Sequence, residues 1–158
     1  ARIIFIGEAP GASEDRQGIP FCGRAGKVLD ELLGVAGFKR RDIFIGNILK
    51  CRPPNNRNPQ IQEIKQCTPY LDRQLELIKP QIVCCLGNFA TRYVMEKYNL
   101  AAKVQGITKI HGKIYITDST YGKIKVIPLF HPAVVTYDFN KMPVLARDFQ
   151  QLKFIPTG

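Results

Sequence analysis

An apolar run without polar alternation stands near the start of the sequence and ends in a turn rich in glycine and proline. Every residue from Ile3 to Ile6 is apolar, and Gly7, Pro10 and Gly11 follow within a few positions. A strand that lacks alternation is typical of a parallel sheet that is covered on both faces. Open sheets of this type bind their ligands at the carboxyl ends of their strands. The turn after Ile6 is therefore a candidate binding site.

Helical and strand patterns alternate along the rest of the chain. They predict strands over residues 2–6, 42–49 and 81–86, and two further segments, 111–117 and 125–130, that form either a hairpin or two separate sheet strands. They predict helices over residues 26–37, 60–78, 89–98 and 141–154, with Asn88 as the cap of the third helix. This alternation indicates an α/β protein with three layers, α/β/α, around a central, mainly parallel four-stranded sheet.

The chain is strongly basic: 23 Lys and Arg residues stand against 13 Asp and Glu residues, a formal net charge of +10. Such an excess favours a polyanionic partner, of which nucleic acid is the commonest. No apolar run of about 18 residues occurs, which argues against a membrane-spanning segment and a membrane partner. Five cysteines without the spacing of a disulfide scaffold favour a reducing, intracellular environment.

Three polar segments follow predicted strands and should meet at one edge of a parallel sheet: residues 8–21, 47–57 and 130–133. Asn47 lies within an apolar strand, and its amide offers the donors and the acceptor that match the edge of a pyrimidine base. A ring nitrogen of His131 could stabilise an anion, and Phe21 could stack on a planar ligand. Each also has a structural explanation: Asn47 and His131 as internal hydrogen-bonding residues, and Phe21 as a core residue.

Several motifs occur together in a distinctive order. They are Gly7-Glu8-Ala9-Pro10-Gly11, Glu14-Asp15, Gly18, Pro20-Phe21, Gly23-Arg24-Ala25-Gly26, Asn47, Lys50-Cys51-Arg52-Pro53-Pro54 and His131-Pro132-Ala133. Over essentially its whole length the chain resembles the family 4 uracil-DNA glycosylases, the iron–sulfur branch from archaea and thermophiles. The resemblance implies an N-glycosyl hydrolase of DNA repair that flips uracil out of DNA, cleaves its glycosidic bond and leaves an abasic site. A related branch with glutamine in the first motif fits less well, since this chain has Ala9.

The same resemblance implies a binding pocket for the flipped base. Phe21 would stack on uracil, and Asn47 would accept a hydrogen bond from N3–H and donate one to O4. Cytosine presents the opposite pattern and would fit badly. His131 would hydrogen-bond O2, where negative charge grows as the bond breaks, and Glu14 would occupy the place of a thymine methyl group.

The resemblance also implies a site for the attacking water. Glu8 would line this site together with the backbone of Gly7 and Ala9. The expected catalytic residues are thus His131, Asn47 and Glu8. Whether Glu8 acts as a base stays open, because this branch lacks the aspartate that other branches place in their first motif.

DNA contacts are expected on the same side of the molecule. Val134 or Val135 would insert into the gap that the flipped base leaves, and Arg52 and Arg147 would lie on the DNA-facing surface. Further candidate phosphate contacts are Lys50, Arg57, Lys109, Lys113, Lys123 and Lys125, each of which is also explained as an ordinary solvated charge.

Two cysteines match the family's [4Fe–4S] ligands. Cys51 and Cys67 are expected to provide two of the four thiolates that such a cluster takes; without the resemblance, small buried residues are the favoured explanation for both. Cys22, Cys84 and Cys85 are poor substitutes. The family supplies the other two ligands from a Cys-x-x-Cys segment before the first strand. The expectation is a single domain over residues 1–158 that lacks that segment.

The expected partner is uracil-containing DNA, and the expected form is a monomer in the cytoplasm at the nucleoid, with any replication or repair partners left open. The alternative function is a non-catalytic, basic α/β domain that binds nucleotides or nucleic acid. In that case the turn over residues 7–11 would only cradle a phosphate at a helix N-terminus. The turn has neither the P-loop nor the dinucleotide-binding glycine pattern, which counts against this alternative.

Overall fold

Five strands form one sheet in a computed structural model that describes residues 2–8, 23–48 and 61–155, with residues 61–67 described by their backbone alone. The strands are β1 (Ile3–Gly7), β2 (Phe44–Asn47), β3 (Ile82–Leu86), β4 (Tyr115–Ser119) and β5 (Gly122–Leu129). The helices are α1 (Arg24–Val35), α2 (Ile61–Ile78), α3 (Asn88–Lys97), α4 (Ile107–Ile110), α5 (Ala133–Tyr137) and α6 (Met142–Gln150). Short 3-10 turns cover Arg40–Asp42, Ala101–Lys103, Phe139–Lys141 and Gln151–Phe154.

The strands lie in the order β2-β1-β3-β5-β4. The first four in this order are parallel, and β4 is antiparallel to β5. The sheet therefore has five strands where the sequence predicted four. The extra strand is one arm of the β4–β5 hairpin, which was one of the two arrangements that the sequence allowed. Ser119 and Gly122 close this hairpin, since the Ser119 hydroxyl donates a hydrogen bond to the Gly122 carbonyl at 2.6 Å.

Helices cover both faces of the sheet, which explains why β1 shows no polar alternation. Ile3 and Phe5 point into one core with α1, α5 and α6, while Ile4 and Ile6 point into a second core with α2 and α3. In the first core the rings of Phe5 and Phe149 stack with centroids 5.7 Å apart. The predicted three-layer α/β/α architecture is confirmed.

The ends of several elements differ from the predicted ones. Asn88 was expected to cap α3, but that prediction is wrong: Gly87 precedes the helix with a φ of +91°, and Asn88 is the first helical residue. The Asn88 side-chain oxygen instead accepts a hydrogen bond from the backbone N–H of Ile107 at 2.8 Å. This long-range bond fixes the turn of α4, so that the predicted strand over residues 111–117 begins only at Tyr115.

The longest described helix, α2, contains a proline, Pro69, yet it runs for 18 residues. Its inner face is apolar, with Leu71 and Leu75 fully buried in the second core. No helix within the described parts of the chain is both long enough and apolar enough to cross a membrane.

Candidate active site

The carboxyl ends of β1, β2, β3 and β5 meet at one edge of the sheet. Glu8 follows β1, Asn47 ends β2, Gly87 follows β3, and His131 lies two residues after β5. The chain passes from β1 to β2, which lies on one side of β1, whereas β3 and β5 lie on the other side of β1. A crevice at such a topological switch point is the usual ligand site of an open α/β sheet.

Asn47 is the last residue of β2 at this sheet edge, and it has low solvent exposure. The residue is only 8% exposed, and no hydrogen bond joins its side chain to another residue that the structure describes. Gly7 stands beside it in the register of β1 and β2, and the Ile48 N–H donates to the Gly7 carbonyl at 2.9 Å. A side-chain amide of low exposure needs hydrogen-bond partners, and a ligand with matching polar groups can supply them.

His131 is supported from β3 by Gly87. The Gly87 N–H donates to the Leu129 carbonyl at 2.8 Å, which holds the end of β5 against the end of β3. A Cβ added at Gly87 would lie 3.4 Å from the Cβ of His131, and the φ of +91° is one that residues with a side chain rarely adopt. Sequence reasoning did not single out Gly87; its only signal was a glycine between a strand and a helix.

The protonation of the His131 ring follows from its hydrogen bond and its surroundings. The backbone N–H of Ala133 donates to Nδ1 at 3.0 Å, so Nδ1 is an acceptor and the proton of the neutral ring is on Nε2. Part of the His131 surface stays open, but the surrounding protein desolvates the ring and lowers its pKa to about 4. At neutral pH the ring is therefore an uncharged donor.

Glu8 is the acidic group of this edge. It lies directly after β1, and its side chain is partly exposed. Burial raises the pKa of its carboxyl group above the ordinary value, because the surrounding protein disfavours the charged form. A carboxylate held in this way is a better base than an ordinary surface glutamate.

The segment after His131 contains exposed aromatic side chains that sequence reasoning missed. Tyr137 and Phe139 are 79% and 77% exposed, which their apolar character alone would not predict. Val134 is partly exposed, but Val135 is 6% exposed and packs in the first core. The expectation that Val135 can enter DNA is therefore a poor fit to the structure, since the core already holds its side chain.

Basic side chains are spread over the described surface. Arg147 is exposed on α6. Lys109, Lys113 and Lys123, which lie outside α6, are exposed as well. Lys123 already pairs with Asp118 across the β4–β5 hairpin, with a nitrogen–oxygen distance of 3.0 Å. The remaining predicted site residues lie outside the described residues: Ala9, Glu14, Phe21, Cys51 and Arg52.

The cysteines that the structure describes behave as core residues. Cys84 and Cys85 are fully buried in β3 and point to opposite faces of the sheet. Burial raises the pKa of both thiols, which disfavours the thiolate that binds metal. Cys67 lies in α2, where the structure describes its backbone alone. Among the described residues no group of three or more His, Cys, Asp and Glu side chains is arranged to hold a metal ion.

Comparison with known proteins adds a sequence-wide match to this geometry. Residues 1–153 match the family model described as the uracil DNA glycosylase superfamily. The chain is 48% identical over 155 residues to the type-4 uracil-DNA glycosylase of Saccharolobus solfataricus, covering 97% of this chain and 70% of that protein. It is 43% identical over 152 residues to the type-4 uracil-DNA glycosylase of Archaeoglobus fulgidus, covering 96% of this chain and 75% of that protein.

These likenesses extend from β1 to the end of α6, and so they include every strand end that carries a candidate site residue. They agree with the resemblance that the sequence motifs carry. The chain belongs to the uracil DNA glycosylase superfamily.

Proposed function

We propose that this protein removes uracil from DNA by hydrolysing the bond between the base and its deoxyribose. The observation that supports the proposal is the position of two residues at the same edge of the sheet: Asn47, which is buried and carries an amide, and His131, a neutral imidazole donor. Relatives named type-4 uracil-DNA glycosylase, at 43% and 48% identity, support the choice of reaction. Nothing in the described residues favours the alternative of a non-catalytic binding domain.

The spacing of the strands suits a single flipped base. Two strands, β1 and β3, separate β2 from β5, so Asn47 and the end of β5 stand three strand spacings apart, about 14 Å between backbones. We propose that the side chains of Asn47 and His131 extend into this gap and that one planar ring lies between them. In the proposal Asn47 accepts from the N3–H of uracil and donates to O4, a pattern that cytosine cannot match.

His131 stabilises the charge that develops on the leaving base. When the glycosidic bond breaks, the electron pair stays with uracil and negative charge grows on O2. A hydrogen bond from Nε2–H to O2 stabilises that charge, and its strength is greatest where water is excluded. The acceptor bond at Nδ1 holds the ring in this tautomer, so the ring donates from Nε2 as a neutral imidazole.

Water then attacks C1′ of the sugar, and we propose that Glu8 orients this water and accepts the proton that it releases. The partly buried carboxylate lies after β1, beside the Gly7 backbone, where it can accept a hydrogen bond from the attacking water. Ala9 belongs to the same turn. Phe21 is proposed to stack on the base, and Glu14 to exclude the thymine methyl group.

Replacing Glu8 with glutamine should slow uracil release and stabilise the fold at neutral pH. The rate is expected to fall about tenfold or more, because the amide is a poor base. The raised pKa means that the folded state binds the Glu8 proton more tightly than the unfolded state, so the ionised wild-type side chain lowers the free energy of unfolding at neutral pH. Melting temperatures at neutral pH and below pH 4.5 check this: the gain of Glu8→Gln should vanish in acid, where wild-type Glu8 is also neutral.

Uracil-containing DNA is the proposed substrate, bound by the protein as a monomer. Val134, Arg52 and Arg147 are proposed DNA contacts, with the formal net charge of +10 attracting the phosphates. The exposed rings of Tyr137 and Phe139 follow His131 on the same segment and offer stacking surface for bases beside the extruded one. We place the site of action at the nucleoid in the cytoplasm.

We propose Cys51 and Cys67 as two thiolate ligands of a [4Fe–4S] cluster. The described cysteines support this choice by exclusion, since Cys84 and Cys85 are buried on opposite faces of β3 with raised thiol pKa values. The cluster would supply structural order to the loop after Asn47, because uracil hydrolysis transfers no electrons. The chain's own residues therefore carry the chemistry of the reaction.

Iron content should separate the two classes of cysteine. In the full-length protein, Cys51→Ser and Cys67→Ser are each expected to lose most of the bound iron and sulfide, along with the visible absorption of the cluster. Cys84→Ala is the matched control and should keep the iron, the sulfide and the visible absorption. Equal iron in all variants would show that neither Cys51 nor Cys67 is a ligand.

The function itself is tested by release of the free base from an oligonucleotide that contains one uracil. Uracil paired with adenine, uracil mispaired with guanine and single-stranded substrates should be compared, with the cytosine-containing and thymine-containing strands as negative controls. Release of uracil with an abasic site left behind supports the proposal. Tight binding of the strands without release of any base would favour the non-catalytic alternative.

A further inference from the structure

A partly buried, hydrogen-bonded pair of side chains lies next to Phe130, the residue before His131. His111 Nδ1 is 2.6 Å from Oδ2 of Asp148, which is 8% exposed on α6. Because a carboxylate only accepts hydrogen bonds, Nδ1–H of His111 is the donor. The bond joins residues that are 37 positions apart in the sequence. We call this pair the His111–Asp148 clamp.

Backbone contacts connect the clamp to the end of β5. The Gly112 N–H donates to the Pro128 carbonyl at 2.8 Å, and the Gln151 side chain donates to the Gly112 carbonyl at 2.6 Å. Gly112 has a φ of +80°, and a side chain there would collide with the Asp148 carboxylate. The position therefore requires glycine, and the peptide next to His111 is fixed between α6 and β5.

Phe130, the residue before His131, contacts the clamp through its ring. The centroids of the His111 and Phe130 rings are 4.6 Å apart, with their planes 36° from parallel. Lys141 Nζ lies 5.5 Å from the centroid of the same Phe130 ring. Phe130 is 7% exposed, so its ring has little freedom to move away from these two contacts.

We propose that the His111–Asp148 clamp is a positioning device for His131, acting through Phe130 and the end of β5. This inference rests on the proposed function, since it assumes that His131 donates to the leaving base. Donors that stabilise a transition state must be held within a fraction of an ångström of their place. A single partly buried hydrogen bond adds little net stability, because folding exchanges it for hydrogen bonds to water. What the pair contributes is a fixed orientation of the His111 ring relative to α6.

Three variants distinguish positioning from simple stabilisation. His111→Phe keeps a ring beside Phe130 but removes the bond to Asp148. His111→Asn keeps a side-chain nitrogen close to the place of Nδ1. Tyr93→Phe is the matched control, because it removes another bond to an aspartate, from the Tyr93 hydroxyl to Asp72 at 2.5 Å, on the opposite face of the sheet.

The expected kinetic result is a change in kcat without a matching change in KM. His111→Phe should lower kcat for uracil release about tenfold and leave KM nearly unchanged, because a small misplacement of a reacting group weakens the transition state. His111→Asn should keep most of the wild-type kcat, and Tyr93→Phe should keep all of it. A loss in His111→Asn as large as in His111→Phe, or an equal loss in Tyr93→Phe, would overturn the proposal.

A double variant removes the effect of an unpaired carboxylate. His111→Phe alone leaves Asp148 buried without this partner, which lowers stability by itself. His111→Phe combined with Asp148→Leu should regain the wild-type melting temperature while kcat stays low. If kcat returned to the wild-type value together with stability, the clamp would be a structural feature only.

Nitrogen chemical shifts of the His131 ring give a readout that needs no activity. The chain has two histidines, so in His111→Phe the one remaining imidazole signal belongs to His131. We expect a single tautomer with the proton on Nε2 in the wild type and a mixture of tautomers in the variant. An unchanged tautomer would overturn the inference. Because this measurement does not depend on uracil release, an inactive wild-type protein would contradict the proposed function and leave the test of the clamp intact.

Discussion

Replacing His131 with alanine should lower the turnover number for uracil release about a hundredfold or more, since one positioned donor in such sites contributes about 3 kcal/mol to transition-state stabilisation. The loss follows from the site: the ring is neutral at neutral pH, its proton is on Nε2, and protein surrounds it. Rates measured under single-turnover conditions with excess enzyme separate this chemical step from product release. The fold should survive, because the ring lies at the edge of the sheet and outside both hydrophobic cores.

A glutamine at position 131 is the informative companion to this variant, because its amide nitrogen can reach the place of Nε2. His131→Gln should therefore retain more activity than His131→Ala. Circular dichroism and thermal melting check that each variant is folded. A wild-type rate in His131→Ala would remove this residue from the mechanism.

The same histidine gives the wild-type protein a stability that depends on pH. In the unfolded chain His131 titrates near its ordinary value of 6.5, whereas in the folded state its pKa is about 4. Between these values the unfolded state binds more protons, so stability is fully present above pH 6.5 and is lost as the pH falls towards 4. The decline of the melting temperature over that interval should be smaller in His131→Gln than in the wild type.

Replacing Asn47 with alanine should also reduce uracil release about a hundredfold, because the variant loses the proposed hydrogen bonds to N3–H and O4 of the base. The variant should stay folded, since alanine is smaller than asparagine and adds no polar group to a position that is 8% exposed. Turnover of uracil-containing strands and melting temperature are the two measurements.

Thr91 provides the control for this argument. Within the described chain its hydroxyl is a buried polar group without a hydrogen-bond partner, and it lies inside α3. Thr91→Val should therefore stabilise the protein without slowing uracil release. If Asn47→Ala were as active as Thr91→Val, the proposed role of Asn47 in reading the base would be wrong.

The sheet and its two covering layers were predictable because they depend on local apolar runs. Ile3 to Ile6 could be recognised as a doubly buried strand from composition alone, and the strand ends then placed Asn47 and His131 at one edge. The fifth strand was less certain. Its start at Tyr115 depends on the turn of α4, which a bond from distant Asn88 holds in place.

The supporting parts of the site were not predictable, because contacts between distant residues create them. Gly87 and Gly112 adopt positive φ values that no local pattern required. His111 and Asp148 meet only after α6 packs on the sheet, so their separate sequence contexts gave no sign of a pair. Val135 was a reasonable candidate for DNA insertion until the helix α5 turned its side chain into the core.

Cys84 and Cys85 sit side by side in β3, the middle strand of the sheet, and project into opposite hydrophobic layers. Adjacent thiols arranged in this way face away from each other and from solvent, so an alkylating reagent reaches them only when the centre of the sheet opens. Fraying of a helix end or movement of a surface loop leaves both untouched. Alkylation of Cys84 and Cys85 therefore reports global unfolding, and it distinguishes loss of the whole fold from local opening near the strand ends.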